Sequence, residues 1–168
     1  MRVSIVAGAM LAAGLLGSVA VVAATKPSPR VERGEYLATI MDCTGCHTTG
    51  ALLGQPDPQR FLAGSTVGFQ IPELGIVYPA NLTPDHDTGL GSWSERDIVN
   101  AVRTGVRPDG RVLVPVMPYH SYSRLTDSDA GALASYLKSL PAIRHQVPAN
   151  TGASEKPTTP YLTVAMPE

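Results

Sequence analysis

Residues Cys43-Thr44-Gly45-Cys46-His47 constrain this 168-residue chain more than any other feature, because they gather its two cysteines and a histidine within about one helical turn. The pattern C-x-x-C-H is the attachment sequence for covalently bound haem c. Two thiols at this spacing can each add across one vinyl group at a haem edge, and the histidine that follows is then placed under the iron. His47 becomes the proximal ligand through one imidazole nitrogen. Three other readings compete. A thioredoxin-like dithiol needs a βαβ setting, and no such alternation surrounds residue 43. A structural zinc site takes about four ligands, whereas the remaining histidines, His86, His120 and His145, have no H-x₃₋₅-H spacing. A Cys43–Cys46 disulfide closes a loop too small to stabilise much.

The N-terminus specifies a compartment. Met1-Arg2 is followed by an uncharged apolar run from Val3 to Ala24, after which polar chain begins at Thr25-Lys26-Pro27. That order predicts export to the periplasm. Val22-Ala23-Ala24 suits cleavage after Ala24, yet the run exceeds the usual ~7–15-residue core of a signal peptide and approaches the ~20 residues that span a bilayer. Residues 1–24 are therefore expected to be a cleaved signal peptide, with an inner-membrane anchor through residues 3–24 as the alternative. No basic cluster suggests nucleic acid. With 16 glycines and 15 prolines against two phenylalanines and one tryptophan, the chain has the makings of only a thin core, and a buried porphyrin would add the apolar area it lacks.

Periodicity predicts three helices. The first runs from about Val31 to the haem motif, with Tyr36, Leu37, Ile40 and Met41 as its apolar stripe. The second opens at Ser94-Glu95-Arg96-Asp97, a capping box with Asp in place of Glu, carries Ile98, Val99 and Val102, and stops at Gly105. The third starts at Thr126-Asp127-Ser128-Asp129, presents Ala130, Leu133, Ala134 and Leu137 on one face, and is closed by Pro141. Gly/Pro-punctuated stretches at 50–92 and 105–125 read as long loops wrapped around the haem. The expected organisation is an all-α haem domain at 31–141 followed by an extended Pro/Thr-rich tail at 142–168.

The sixth iron position has several contenders. Met1 and Met10 belong to the leader, and Met41 lies too close to Cys43 to reach the far face of the porphyrin. Met117 and Met166 remain, each followed by proline. Met117 falls 70 positions after His47 in Pro115-Val116-Met117-Pro118-Tyr119, where prolines restrict the backbone and support a thioether. Met166 sits close to the C-terminus. Met117 is the expected ligand, and His120 is its main competitor.

Gly34, the Cys43–His47 motif, Met117-Pro118 and Tyr136-Leu137 occur in the order of class I c-type cytochromes, which this chain resembles. Asn81-Leu82-Thr83-Pro84-Asp85, Thr88-Gly89-Leu90-Gly91-Ser92-Trp93-Ser94, Met117-Pro118-Tyr119 and Ala132–Pro141 look like the cytochrome c subunits of bacterial periplasmic dehydrogenases for alcohols, aldehydes, gluconate and N-heterocycles. The match covers about residues 31–150. Those relatives often carry three haem motifs, and this sequence has one. The resemblance implies the class I fold, with the first and last helices crossing where Gly34 lets a backbone approach and Tyr136 packs. It also implies that Asn81 and Thr83 lie against the haem. Trp93 either fills the core beneath a loop or donates its indole N–H to a haem propionate, and Tyr78 and Arg103 are further propionate candidates.

With His47 and Met117 both on iron, the chain is expected to transfer one electron at a time and not to act as an enzyme. A G-x-G-x-x-G fingerprint and a P-loop are both missing. The expected donor is the catalytic subunit of a periplasmic dehydrogenase, over which the tail could drape, and the expected acceptor is a terminal oxidase or another cytochrome. The alternatives are a freely diffusing periplasmic carrier, and a haem enzyme or gas sensor with an open iron site.

Overall fold

The computed structural model describes residues 26–167, so the leader at 1–24 lies outside the described residues. Helix α1 (Pro29–Ile40) starts where the Ser28 side chain accepts from the Val31 N–H and Pro29 takes a position that needs no N–H. It ends earlier than the sequence suggests. Met41 caps it, and Asp42 adopts a left-handed backbone (φ 54°) that redirects the chain into the short α2 (Cys43–His47). The Asp42 carboxylate then accepts from the Gly45 N–H at 3.2 Å. A Cβ at position 45 would stand 2.4 Å from that carboxylate, so the glycine inside the motif makes room for the cap.

The buried face of α1 also differs from the expected stripe. Gly34, Leu37 and Ala38 are buried, while Tyr36 and Ile40 are more than half exposed. The reason is close packing against the last helix, α5 (Asp127–Ser139). A Cβ at Gly34 would lie 2.1 Å from the Ala132 carbonyl oxygen and 2.5 Å from Tyr136 Cβ. The face is set by smallness, and Tyr36 instead lies under the Arg33 guanidinium. Between these helices in sequence come α3 (Glu95–Thr104) and the single-turn α4 (Tyr119–Tyr122). Ser94 and Asp97 form the expected reciprocal capping box, and Gly105 ends α3 at φ 75°. Ala38, Leu62, Leu90, Ile98, Leu133, Ala134, Tyr136 and Leu137 make the core of this helical layer.

The all-α expectation is incomplete. Strands β1 (Gly68–Ile71) and β2 (Gly75–Val77) pair antiparallel, and β3 (Tyr161–Leu162) joins β1 in parallel, giving the order β2-β1-β3. Runs of two to four residues are too short for a period-2 signal, and β3 comes from the opposite end of the chain. Residues 142–167 are extended and carry little helix or strand of their own. They run back over residues 63–83, with an antiparallel bridge between Thr151 and Ile76.

Candidate haem-binding site

A cavity of about 860 Å³ opens between the helical layer and the loops, within the roughly 300–1,000 Å³ typical of ligand sites. Cys43, Cys46, His47 and Met117 all line it. Its walls are otherwise largely apolar and include the core side chains Leu90, Ile98, Leu133 and Leu137.

The histidine is oriented by the fold. His47 Nδ1 donates to the Ala80 carbonyl at 2.7 Å, which leaves Nε2 with the free lone pair on the cavity wall. Desolvation holds the imidazole below its ordinary pKa, opposed by the Ala80 hydrogen bond, so the neutral, ligand-competent form prevails at neutral pH. The His47 carbonyl in turn accepts from the Gly64 N–H at 2.7 Å.

The two thiols are free. Burial, above all, pushes Cys43 up to about 11, with the neighbouring Asp42 and Cys46 adding to the effect. Cys46 is raised as well, first by burial and then by Asp42. A redox-active dithiol works through a thiolate of depressed pKa, and this pair is displaced the other way. Among the described residues no group of three or more His, Cys, Asp or Glu side chains could hold a metal ion, so the zinc reading finds no ligand set.

Met117 is half-buried on the cavity wall, in a tight turn where its N–H donates to the Val114 carbonyl and its carbonyl accepts from the Tyr119 N–H. Met41 also reaches the wall, beside Cys43. Met166 is 82% exposed and lies away from the cavity. His120 is exposed, lies outside the lining, and stacks on Tyr119 with ring centroids 4.4 Å apart.

Asn81 and Thr83 form a buried polar knot. Asn81 Nδ2 donates to Thr88 Oγ1 and to the Ile143 carbonyl, and Asn81 Oδ1 accepts from both the N–H and the hydroxyl of Thr83. Asn81 touches the cavity; Thr83 sits behind it, fully buried. Both side chains are committed to holding the loop. Tyr78 lines the cavity, and its hydroxyl accepts from Thr159. Arg103 lies in a separate groove on α3 and pairs with Asp127, away from the cavity.

Trp93 packs against the core and also lines the cavity. The guanidinium of Arg107 stands 5.3 Å from its ring centroid. Arg107 does not stand out in the sequence. Its Nε is buried without a hydrogen-bond partner, and only Asp109, at 3.4 Å from Nη2, offers it a counter-charge. Burial, followed by the nearby Arg111, lowers its pKa, with Asp109 opposing. A buried cationic donor left unpaired is costly, and a carboxylate in the cavity would complete it. The available signal is Arg107-Pro108-Asp109-Gly110-Arg111, a Pro-Asp-Gly turn flanked by two arginines. Tyr122, equally inconspicuous in the sequence, lines the cavity and donates to the Met41 carbonyl at 2.8 Å, with its phenol pushed up to about 12 chiefly by burial. Two thiols, an oriented imidazole, a thioether and a guanidinium with one unsatisfied N–H on one largely apolar cavity together fit a porphyrin bearing iron and carboxylates.

Residues 31–141 match the cytochrome c family. The fructose dehydrogenase cytochrome subunit of Gluconobacter japonicus is 40% identical over 110 residues, covering 65% of this chain and 21% of that protein. The cytochrome c subunit of the quinone-type alcohol dehydrogenase of Gluconobacter oxydans is 40% identical over 107 residues, 63% of this chain and 20% of that protein. The gluconate 2-dehydrogenase cytochrome c subunit of Pantoea cypripedii is 43% identical over 106 residues, 63% of this chain and 22% of that protein. The chain thus spans about a fifth of the length of these relatives. The helices, the C-x-x-C-H motif on the cavity wall and the match over residues 31–141 agree, and the chain belongs to the cytochrome c family.

Proposed function

We propose that this chain carries one haem c on Cys43 and Cys46, with His47 and Met117 as axial ligands, and transfers single electrons as a non-catalytic subunit or acceptor of a periplasmic dehydrogenase. The observation that carries the reading is the convergence of those four side chains and Arg107 on one cavity. The family binds haem c covalently, and that group supplies an iron able to cycle between Fe(III) and Fe(II). The protein does the rest. Ala80 holds the His47 ring so that Nε2 stays available, the Pro115–Pro118 turn carries Met117 on the cavity wall, and Arg107, on Trp93, would receive a carboxylate of the bound group. Apolar walls exclude water, which together with thioether ligation favours the reduced state.

The donor assignment rests on the relatives, whose names place them in fructose, alcohol and gluconate dehydrogenases. A terminal oxidase or a second cytochrome is the matching acceptor. Within the tail, His145, Asn150 and Tyr161–Leu162 bind this chain's own loops and strand β1, and the exposed residues between them are the part of it that a partner subunit could cover. A freely diffusing carrier is the second reading, favoured by the single haem motif; co-purification with a larger catalytic chain separates the two. Export follows from residues 1–24, as signal peptide or as anchor, and the intact mass of the purified protein distinguishes them. Among the described residues no helix is long and apolar enough to cross a membrane.

Visible spectra of the oxidised and dithionite-reduced protein, with and without carbon monoxide, test the central claim. A low-spin c-type spectrum unchanged by the gas is expected. A gas-induced shift would mean an open iron position and would replace electron transfer by a haem enzyme or sensor.

A further inference from the structure

The family match stops at residue 141, yet the chain beyond it forms part of the cavity wall: Gln146, Val147, Pro148, Asn150 and Thr151 all line it. The contacts this segment makes are concentrated on two loops. His145 Nδ1 donates to the Ala63 carbonyl at 2.7 Å, and a Cβ at the next residue, Gly64, would lie 2.4 Å from Val147 Cγ1. On the second loop, Asn150 Oδ1 accepts from the Tyr78 N–H at 3.2 Å, and the Ile143 carbonyl accepts from Asn81 Nδ2 at 2.8 Å. The two loops share one further property. Gly64 donates to the His47 carbonyl and Ala80 accepts from the His47 ring.

Every polar contact that fixes His47 from outside α2 is therefore made by a loop that the tail grips on its outer side. Ala80 is bracketed, with Tyr78 tied to Asn150 and Asn81 tied to Ile143. The 76–82 loop has no helix to hold it; on one side it is tied to the 62–65 loop, where Ser65 N–H donates to the Pro79 carbonyl and Leu82 N–H to the Leu62 carbonyl, and on the other the tail supplies the remaining support. Partners that orient a ligating histidine govern its tautomer and ring angle, and a poorly held partner loses that control.

We infer that the 143–151 segment is a positioning strap for the proximal ligand. His145 and Asn150 act through Ala63–Gly64 and Tyr78–Ala80 to hold the His47 imidazole in the orientation that presents Nε2 to iron. The inference rests on His47 being the proximal ligand, as proposed above. It assigns the tail a task within its own chain, in place of draping over a partner.

The test is hydrogen exchange, followed by NMR, at the His47 Nδ1 proton and the Tyr78 amide of the reduced, full-length holoprotein. His145→Ala/Asn150→Ala is expected to speed exchange at both protons by about tenfold or more, while amides of α1 and α5 keep their wild-type rates. His145→Ala/Asn150→Asp restores an acceptor oxygen and should return the Tyr78 amide towards the wild-type rate. Wild-type rates at both protons in the double alanine variant would overturn the strap, and so would acceleration only in step with α1 and α5, which is global loosening. Failure of the underlying reading looks different: a wild-type visible spectrum retained in His47→Ala would show that His47 is not the proximal ligand, whatever the exchange rates.

Discussion

At Arg107 a buried guanidinium nitrogen has no partner, and the two explanations for that predict opposite outcomes. If a haem carboxylate completes it, Arg107→Met leaves that carboxylate unpaired in an apolar wall. The holoprotein should then lose about 1–3 kcal/mol in denaturant unfolding, and its reduction potential should fall, because a cation near the iron favours the reduced form. If the nitrogen is merely frustrated, the same substitution should stabilise the protein. Met117 is tested by spectrum: Met117→Ala should abolish the weak red absorption that reports an iron–sulfur bond, whereas Met166→Ala should leave it intact. Persistence of the band in Met117→Ala would transfer the role to another methionine. That Cys43, Cys46 and His47 share one wall was legible, because their spacing keeps the three side chains within one turn. Arg107 was not, because a charge on a turn looks the same in sequence whether it faces water or a cavity. Thr83, singled out by its motif, lies behind the cavity wall, where it bonds Asn81 and the Ile143 backbone of the tail.

Among the elements, the α1–α5 crossing depends on the absence of one methyl group. Gly34→Ala puts a Cβ into the Ala132 carbonyl, which is backbone and cannot rotate aside. The helices must separate, at an expected cost of about 1–3 kcal/mol or more, read as a lower denaturant midpoint. The helix starts add a pH dependence. Asp97 is held below the ordinary carboxyl pKa by the Ser94 side chain and backbone, and Asp129 by Arg33. A depressed folded-state pKa contributes stability that is complete above the unfolded value, here 3.8, and is lost as pH falls through the folded value. Asp97→Asn/Asp129→Asn should therefore flatten the acid limb of a stability-against-pH curve and leave its slope above pH 5 unchanged. Helix starts and stops were legible, since Ser94, Gly105, Thr126 and Pro141 impose local chemistry. The buried face of α1 was not, because the contact selects small residues while periodicity weighs large apolar ones. The sheet escaped for a related reason: its strands are short, and β3 is about 90 residues from its partner in sequence.

For the whole molecule, what matters is that the core and the site are built from the same side chains. Leu90, Ile98, Leu133 and Leu137 belong to the core cluster, and each also lines the cavity. Their inner faces touch protein and their outer faces touch whatever fills about 860 Å³. Even so, Leu90, Ile98, Leu133 and Leu137 are at most 7% exposed, and the wetted part of the wall is Leu74, Val112 and Val116, at 50%, 60% and 42% exposure; without a porphyrin to cover it, that wall forgoes about 25 cal/mol for every Å² left in water. Much of the rest of the cluster is small, with Ala38 and Ala134 contributing little area. Net stabilities of domains this size are only about 5–15 kcal/mol, so a loss of that kind removes a large part of the total. The Cys43→Ala/Cys46→Ala chain purified without haem should accordingly keep helical far-UV dichroism and lose its near-UV signal, the signature of secondary structure without fixed packing. A native-like near-UV spectrum in that variant would mean that the helices pack without the porphyrin. The cavity would then be a preformed receptacle, and the thin core inferred from the scarcity of Phe and Trp would be sufficient by itself.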